Sequence, residues 1–281
     1  MRPDVLAVVG LGAIGGSVAW QARLSGVPRV VGFVPDPIEG AAAVAAGAVT
    51  EVVDSPASAV RGADLVVLAT PPHIMLDLIG HLAPILEPGA ILTDVASVKT
   101  PVLERAVTAG LAERFAGAHP LAGTHGSGFA YARPDLLPGC VVYVCATGAT
   151  GQAAAGAVME FWEHTMQASP TLIDAAVHDR QLAWTSHLPQ AIAYALGNAL
   201  ARLALRPESY GSGARDTTRL AASNPELWLD IFRENREPVL AALDGAGTAL
   251  AELRSLIAAG DETGLRAYLD RAAAFRRELG A

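Results

Sequence analysis

Short apolar runs alternate with helix-spaced apolar stripes from the amino terminus to about residue 170, and then the alternation stops. The runs Val5 to Val9, Val30 to Val34, Val49 to Val53, Leu65 to Ala69, Ala90 to Thr93, Phe115 to Ala118 and Val141 to Cys145 predict seven strands buried on both faces. Between them, Ile14 to Ser25, Pro37 to Ala46, Ile74 to Leu82, Thr100 to Ala109 and Gln152 to His164 carry helical spacing. This alternation predicts an α/β fold with a doubly wound, mostly parallel sheet. From Asp174 onward the chain is rich in alanine and leucine at helical spacing, interrupted by Pro189, Gly211 to Gly213, Pro225 and Gly260. The expected division is therefore 1–170 for the sheet domain and 171–281 for an all-helical carboxyl-terminal domain.

The chain of 281 residues is long enough for two domains, and its net charge of −8 argues against a nucleic acid or an anionic membrane as main partner. Cys140 and Cys145 lie in an apolar run as expected buried thiols, not as a disulfide. Asp4 and the glycines that follow it contradict a secretory signal. The longest uncharged stretch, Leu136 to Met159, is broken by Pro138, Gly139, Gly148, Gly151 and Gly156, so no membrane span is expected. A cytoplasmic location follows as the expectation, and no metal-ligating set is singled out.

The segment Gly10-Leu11-Gly12-Ala13-Ile14-Gly15-Gly16 joins the first strand to the first helix. Gly10 suits a tight turn, Gly12 a close backbone approach to a pyrophosphate, and Gly15 close packing of helix on strand. The N–H groups at the helix start, with Ala13 and Ile14, are then expected to hold dinucleotide phosphates. In such sheets ligands bind at the carboxyl ends of strands. Thr70-Pro71-Pro72 follows the fourth strand as a stiff wall for a nicotinamide ring. Asp94 to Lys99 follows the fifth and contains the only lysine among 20 basic residues. His119, stiffened by Pro120 and set before the glycine-rich loop Gly123 to Gly128, is placed to exchange a proton with a ligand.

Taken together, the segments Gly10 to Ser17, Asp94 to Lys99, His119 to Thr124, Ser186 to Pro189 and Asp216 to Trp228 resemble the prephenate/arogenate dehydrogenases of tyrosine biosynthesis, in order and over nearly the whole chain. The resemblance implies hydride transfer from the hydroxyl-bearing ring carbon of prephenate or arogenate to a nicotinamide cofactor, with loss of carbon dioxide. It implies that His119, as neutral imidazole, accepts the hydroxyl proton and that Ser97 orients it; a helix N-cap is the alternative role for Ser97. Arg219 then holds a substrate carboxylate, a task suited to a two-pronged guanidinium. Lys99 supports the substrate or the cofactor, and Trp228 is either pocket wall or core. Pro189 is expected to bend its helix and aim His187 or Gln190 at the cleft. The alanine-rich helices are expected to intertwine in a homodimer.

Three departures from the family pattern stand out. Gln190 occupies a position where many members have histidine, and His125, after Thr124, one where many have an acid; all three residues belong to the expected substrate site. Val34 ends the second strand where an NAD-preferring site has an acid, with Asp36 two positions on. No Arg or Lys lies between Pro35 and Ser58 to receive a 2′-phosphate, so NAD is favoured over NADP. Two other readings fit the same layout: a two-domain reductase acting on an imine or β-hydroxy acid, which needs no His119 beside Ser97, and a non-catalytic nucleotide sensor.

Overall fold

The computed structural model describes residues 2–123 and 126–280; the expectations for Thr124 and His125 therefore lie outside the described residues. The amino-terminal part forms one sheet of β1 (Val5–Val9), β2 (Arg29–Phe33), β3 (Glu51–Val52), β4 (Leu65–Leu68), β5 (Ile91–Asp94), β6 (Phe115–Pro120), β7 (Val141–Ala146) and β8 (Ser169–Leu172), in the order β3-β2-β1-β4-β5-β6-β7-β8. All neighbours run parallel except β6 and β7. The order reverses between β1 and β4, which opens a crevice at their carboxyl ends.

Around the sheet lie α1 (Ala13–Leu24), α2 (Pro37–Ala45), α3 (Pro56–Ala59), α4 (Pro72–Leu82), α5 (Thr100–Thr108) and α6 (Gln152–Glu160). Strand alternation sends Leu6 and Val8 into the core layer shared with Val18, Val158 and Trp162, and Ala7 and Val9 into the layer shared with Met75, Ile79 and Phe115. The helix expected to reach His164 changes after Glu160 into a wider π turn, Phe161–Thr165. Both cysteines are free, and burial raises the Cys145 thiol to about 12.

Two differences from the sequence pattern have physical causes. The eighth strand escapes the pattern because Ser169–Leu172 lies at the sheet edge and is mostly exposed, so no apolar run marks it; Pro170 is tolerated there. The expected bend at Pro189 takes the form of a π turn, Ala183–His187, ahead of the helix that contains the proline. That wider turn accommodates the missing N–H, and Pro189 becomes a first-turn residue.

The carboxyl-terminal part is helical: α7 (Ala175–Leu182), α8 (Leu188–Ala201), α9 (Ser212–Thr218), α10 (Pro225–Glu234), α11 (Arg236–Ala259) and α12 (Glu262–Glu278). Its own core is small, with Ala183, Val239 and Ala242 buried against Leu188, Phe232 and Leu243. Leu250, Ile257, Leu269 and Phe275 on α11 and α12 are all more than half exposed.

Candidate active site

At the crevice, Gly10 has φ +100° and a Cβ there would strike the Ala69 carbonyl, so only glycine closes the turn from β1. A Cβ on Gly15 would collide with the Gly10 carbonyl oxygen, which sets how closely α1 lies on the strand. Gly12, by contrast, faces open space, with nothing within 4 Å of a built Cβ. No side chain caps α1, and the N–H groups of Ala13, Ile14 and Gly15 have no partner within the helix. Beside Gly10, the Thr70 hydroxyl is buried without a hydrogen-bond partner among the described residues. A bare helix start, an open glycine and an orphaned hydroxyl fit a dinucleotide with its pyrophosphate at Gly12. Pro71 immediately precedes α4, which starts at Pro72, two residues earlier than the pattern suggests. Val34 is half-buried near Gly40. Asp36 caps α2 by accepting from the Ile38 N–H at 2.8 Å, which leaves one carboxylate oxygen at the end of β2.

The end of β5 carries a buried ion pair. Asp94 and Lys99 are both fully buried and bonded to each other; Asp94 also accepts from the backbone of Ala96 (2.8 Å) and Ala118 (3.1 Å), and the Lys99 ammonium donates to the Ala118 carbonyl at 2.7 Å. Burial raises the Asp94 pKa against the opposing pull of Lys99. Lys99, expected to support the substrate or the cofactor, has its ammonium tying β5 to β6 through Asp94 and the Ala118 carbonyl. Ser97 is half-buried on the same β5–α5 turn and is not the N-cap, since α5 begins after Lys99.

His119 lies on β6 itself, which runs two residues beyond the expected end at Ala118, and is 8% exposed. Its Nδ1 is 2.9 Å from His178 Nε2, and His178 Nδ1 is 2.8 Å from Asp179 Oδ1. Asp179 also accepts from the backbone N–H groups of Lys99 (Oδ1, 2.8 Å) and Thr100 (Oδ2, 2.8 Å), so a carboxylate from α7 caps α5. Burial raises the Asp179 pKa, but the bonds from His178, Thr100 and Lys99 outweigh it and hold the group below the usual carboxylate range. Asp179 is therefore ionised and only accepts, which fixes each proton along the file. His178 carries hydrogen on Nδ1 and offers its Nε2 lone pair; His119 donates from Nδ1, leaving its own Nε2 unprotonated. Burial, then the positive potential of His178 and Lys99, lowers the His119 pKa well below 6.5, and burial lowers that of His178. His178 and Asp179 carry no motif, although a His-Asp pair within a helix next to the sheet is a readable signal.

His187 is fully buried in the same cluster, with its Nδ1 3.0 Å from Asn235 Nδ2, its ring edge-on to Trp228 at 6.0 Å, and its pKa lowered by burial to about 4. Gln190, expected at the substrate, is 2% exposed and donates from its amide to the Leu220 carbonyl at 2.6 Å. That bond ties α8 to the 3₁₀ turn Arg219–Ala222, in which Arg219 is exposed. A groove of about 620 Å³ behind the file has Asp179 and Asn235 among its lining residues, with Trp184 and Arg180; the glycine cradle and His119 lie outside it.

A family model described as prephenate dehydrogenase, nucleotide-binding domain, matches residues 18–169, and one described as prephenate dehydrogenase, dimerization domain, matches residues 174–271. The chain is 34% identical over 265 residues to the cyclohexadienyl dehydrogenase of Zymomonas mobilis, covering 91% of this chain and 89% of that protein. It superposes on the crystal structure of prephenate dehydrogenase from Aquifex aeolicus in complex with hydroxyphenyl propionate and NAD+ with a TM-score of 0.90 at 33% identity, over 98% of this chain and 97% of the other. For Synechocystis arogenate dehydrogenase the TM-score is 0.84 at 31% identity, over 98% and 99%.

Proposed function

We propose, for a chain that belongs to the prephenate dehydrogenase family, the NAD-dependent oxidative decarboxylation of prephenate or arogenate in tyrosine biosynthesis. The observation that carries the reading is the file Asp179–His178–His119, which leaves a neutral imidazole with a free Nε2 lone pair at the carboxyl edge of the sheet. When bound, the nicotinamide supplies the two-electron oxidant, taking the hydride from the ring carbon that bears the hydroxyl. Gly12 and the first-turn N–H groups of Ala13, Ile14 and Gly15 hold the pyrophosphate, and Thr70 and Pro71 border the nicotinamide side. Val34 and the carboxylate of Asp36 border the adenosine ribose, where an acid favours NAD over NADP.

His119 Nε2 takes the hydroxyl proton as the carbonyl forms, a step for which general-base help is worth about 10²–10⁴ in rate. Loss of the ring carboxylate as carbon dioxide leaves a phenolate, to which the imidazolium returns the proton, so the net reaction releases none. Ser97 orients hydroxyl and imidazole, and Arg219 grips a substrate carboxylate as a two-pronged donor. Gln190 fixes the turn that carries Arg219. Thr124 and His125 belong to the loop expected to border the substrate side chain.

The helical part is proposed as the dimer interface, with residues 171–281 as substrate and dimerisation domain and 1–170 as the cofactor domain. The matched family model bears the dimerization description, and the exposed Leu250, Ile257, Leu269 and Phe275 supply apolar surface for a second copy. No helix among the described residues is long and apolar enough to cross a membrane, and the proposed location is the cytoplasm. The test follows reduced nicotinamide by absorbance with prephenate and with arogenate, for the native chain and His119→Asn. Turnover of at least one substrate, cut by about 10²-fold or more in the variant while NAD affinity is kept, supports the reading. NAD binding without turnover of either substrate overturns it.

A further inference from the structure

Asn235 sits in the corner between α10 and α11 and is 3% exposed. Its backbone completes both helices, donating to the Ile231 carbonyl and accepting from the Val239 N–H. Its side chain instead reaches into the histidine cluster, with Nδ2 at 2.9 Å from the Asp179 carbonyl oxygen and 3.0 Å from His187 Nδ1. A backbone carbonyl only accepts, so the amide nitrogen, not the amide oxygen, faces Asp179. The same nitrogen then presents its second hydrogen to His187, which must accept at Nδ1 and carry its own hydrogen at Nε2. That Nε2 is buried and has no hydrogen-bond partner among the described residues.

We infer that Asn235 is a positioning residue which selects the Nε2–H tautomer of His187 and, by gripping the Asp179 backbone, holds that ring in register with the file ending at His119. His187 then offers one neutral N–H to an oxygen of the reacting acid. The substrate part of the inference rests on the dehydrogenase reading, whereas the tautomer is a property of the free protein. The groups that bear on His187 agree with a neutral ring. Asp179 uses its carboxylate oxygens on Lys99, Thr100 and His178 and only its backbone carbonyl on Asn235. Trp228 stands T-shaped to the His187 ring and brings no charge, and His178 is a second neutral imidazole.

The residue type matters at this place. Aspartate has the same shape but only accepts, so Asn235→Asp reverses the bond: His187 must donate from Nδ1, and a carboxylate beside the ring favours its protonation. Alanine removes the bond and leaves both tautomers open.

The experiment is ring-nitrogen NMR on ¹⁵N-histidine-labelled protein without substrate, with His187→Gln to assign the signal, followed by kinetics. The native chain is expected to show Nε2–H and lone-pair Nδ1 at His187, with no protonation down to about pH 5. Asn235→Asp should move the proton to Nδ1 and shift the titration upward by about one unit or more. Asn235→Ala should give mixed tautomers and raise the substrate KM by about tenfold with NAD affinity kept. A native His187 protonated at Nδ1 overturns the inference without any variant, as does an unchanged tautomer in folded Asn235→Ala. The expected tautomer shifts in a protein that turns over neither ring acid support the positioning role and refute the dehydrogenase reading instead.

Discussion

Replacing Asp179 by asparagine tests the proton file at its anchor. Two carboxylate oxygens accept three bonds, from Lys99 and His178 at Oδ1 and from Thr100 at Oδ2. Asparagine has one accepting oxygen. If that oxygen stays on Lys99 and His178, the new NH₂ faces the Thr100 N–H, donor against donor, in a buried place. If it turns to Thr100, the NH₂ faces Lys99 N–H and His178, and His178 must accept at Nδ1. His178 then donates from Nε2, His119 accepts at Nδ1, and the His119 proton moves to Nε2, the nitrogen proposed to act as base. One unsatisfied buried donor costs about 1–3 kcal/mol, and weakening the charge-assisted bonds adds to it, for a total of about 2–4 kcal/mol. For a chain of this size that is a fall in Tm of roughly 3–7 °C. Losing the base should lower kcat by about 10²–10⁴, while NAD affinity holds because the glycine cradle does not touch Asp179. Calorimetry, steady-state kinetics and NAD titration on one preparation separate these effects. Ring-nitrogen NMR tells the two orientations apart, and a folded Asp179→Asn whose His119 proton has moved to Nε2 while kcat stays within about threefold of native refutes His119 Nε2 as the base.

The buried histidines make the protein acid-sensitive. Because the folded pKa of His187 is lowered from 6.5 to about 4, the unfolded chain binds more protons across that window. Stability is then fully present above pH 6.5 and falls by about 1.4 kcal/mol per pH unit for that residue as pH drops toward 4. His119 and His178 act in the same direction, so urea melts at pH 7 and pH 5 should differ by more than His187 alone provides, and equal midpoints would contradict their burial as neutral rings. Gly12→Ala should leave Tm within about 2 °C, since its Cβ meets nothing, yet weaken NAD by about tenfold or more; Gly15→Ala should lose about 1–3 kcal/mol of stability. Arg219→Lys keeps the charge but loses the two-pronged grip, so substrate KM should rise by about tenfold with kcat little changed; an unchanged KM would remove Arg219 from the site.

The order of strands and helices was legible because each buried strand needs an unbroken apolar run and each covering helix an apolar stripe. The same rule explains what was hidden. Ser169–Leu172 joins β7 through backbone bonds at an exposed edge, where side chains are under little constraint. The antiparallel β7 was equally hidden, because Val141–Ala146 carries the same apolar run whichever way the strand points.

In the candidate site, legibility followed function carried by backbone shape. Gly10, Gly12 and Gly15 announce themselves because only glycine satisfies a left-handed turn, an open approach and a tight crossing, and His119 because it ends a strand before a glycine loop. Lys99 was visible as the sole lysine, but its job was not, since nothing in the sequence says that its ammonium folds back onto Asp94 and Ala118. His178, Asp179 and Asn235 act through partners 59, 80 and 48 positions away, at His119, Lys99 and His187. Their identity is set by which atom must donate and which must accept at a buried junction of three helices and a strand end. A neutral imidazole with a lone pair on one chosen nitrogen is a weak base that cannot be made by composition alone. It takes an ionised carboxylate at the far end of the file to choose the nitrogen, and burial to keep the ring uncharged, so the state of His119 is set by residues that reach it only through a neighbour.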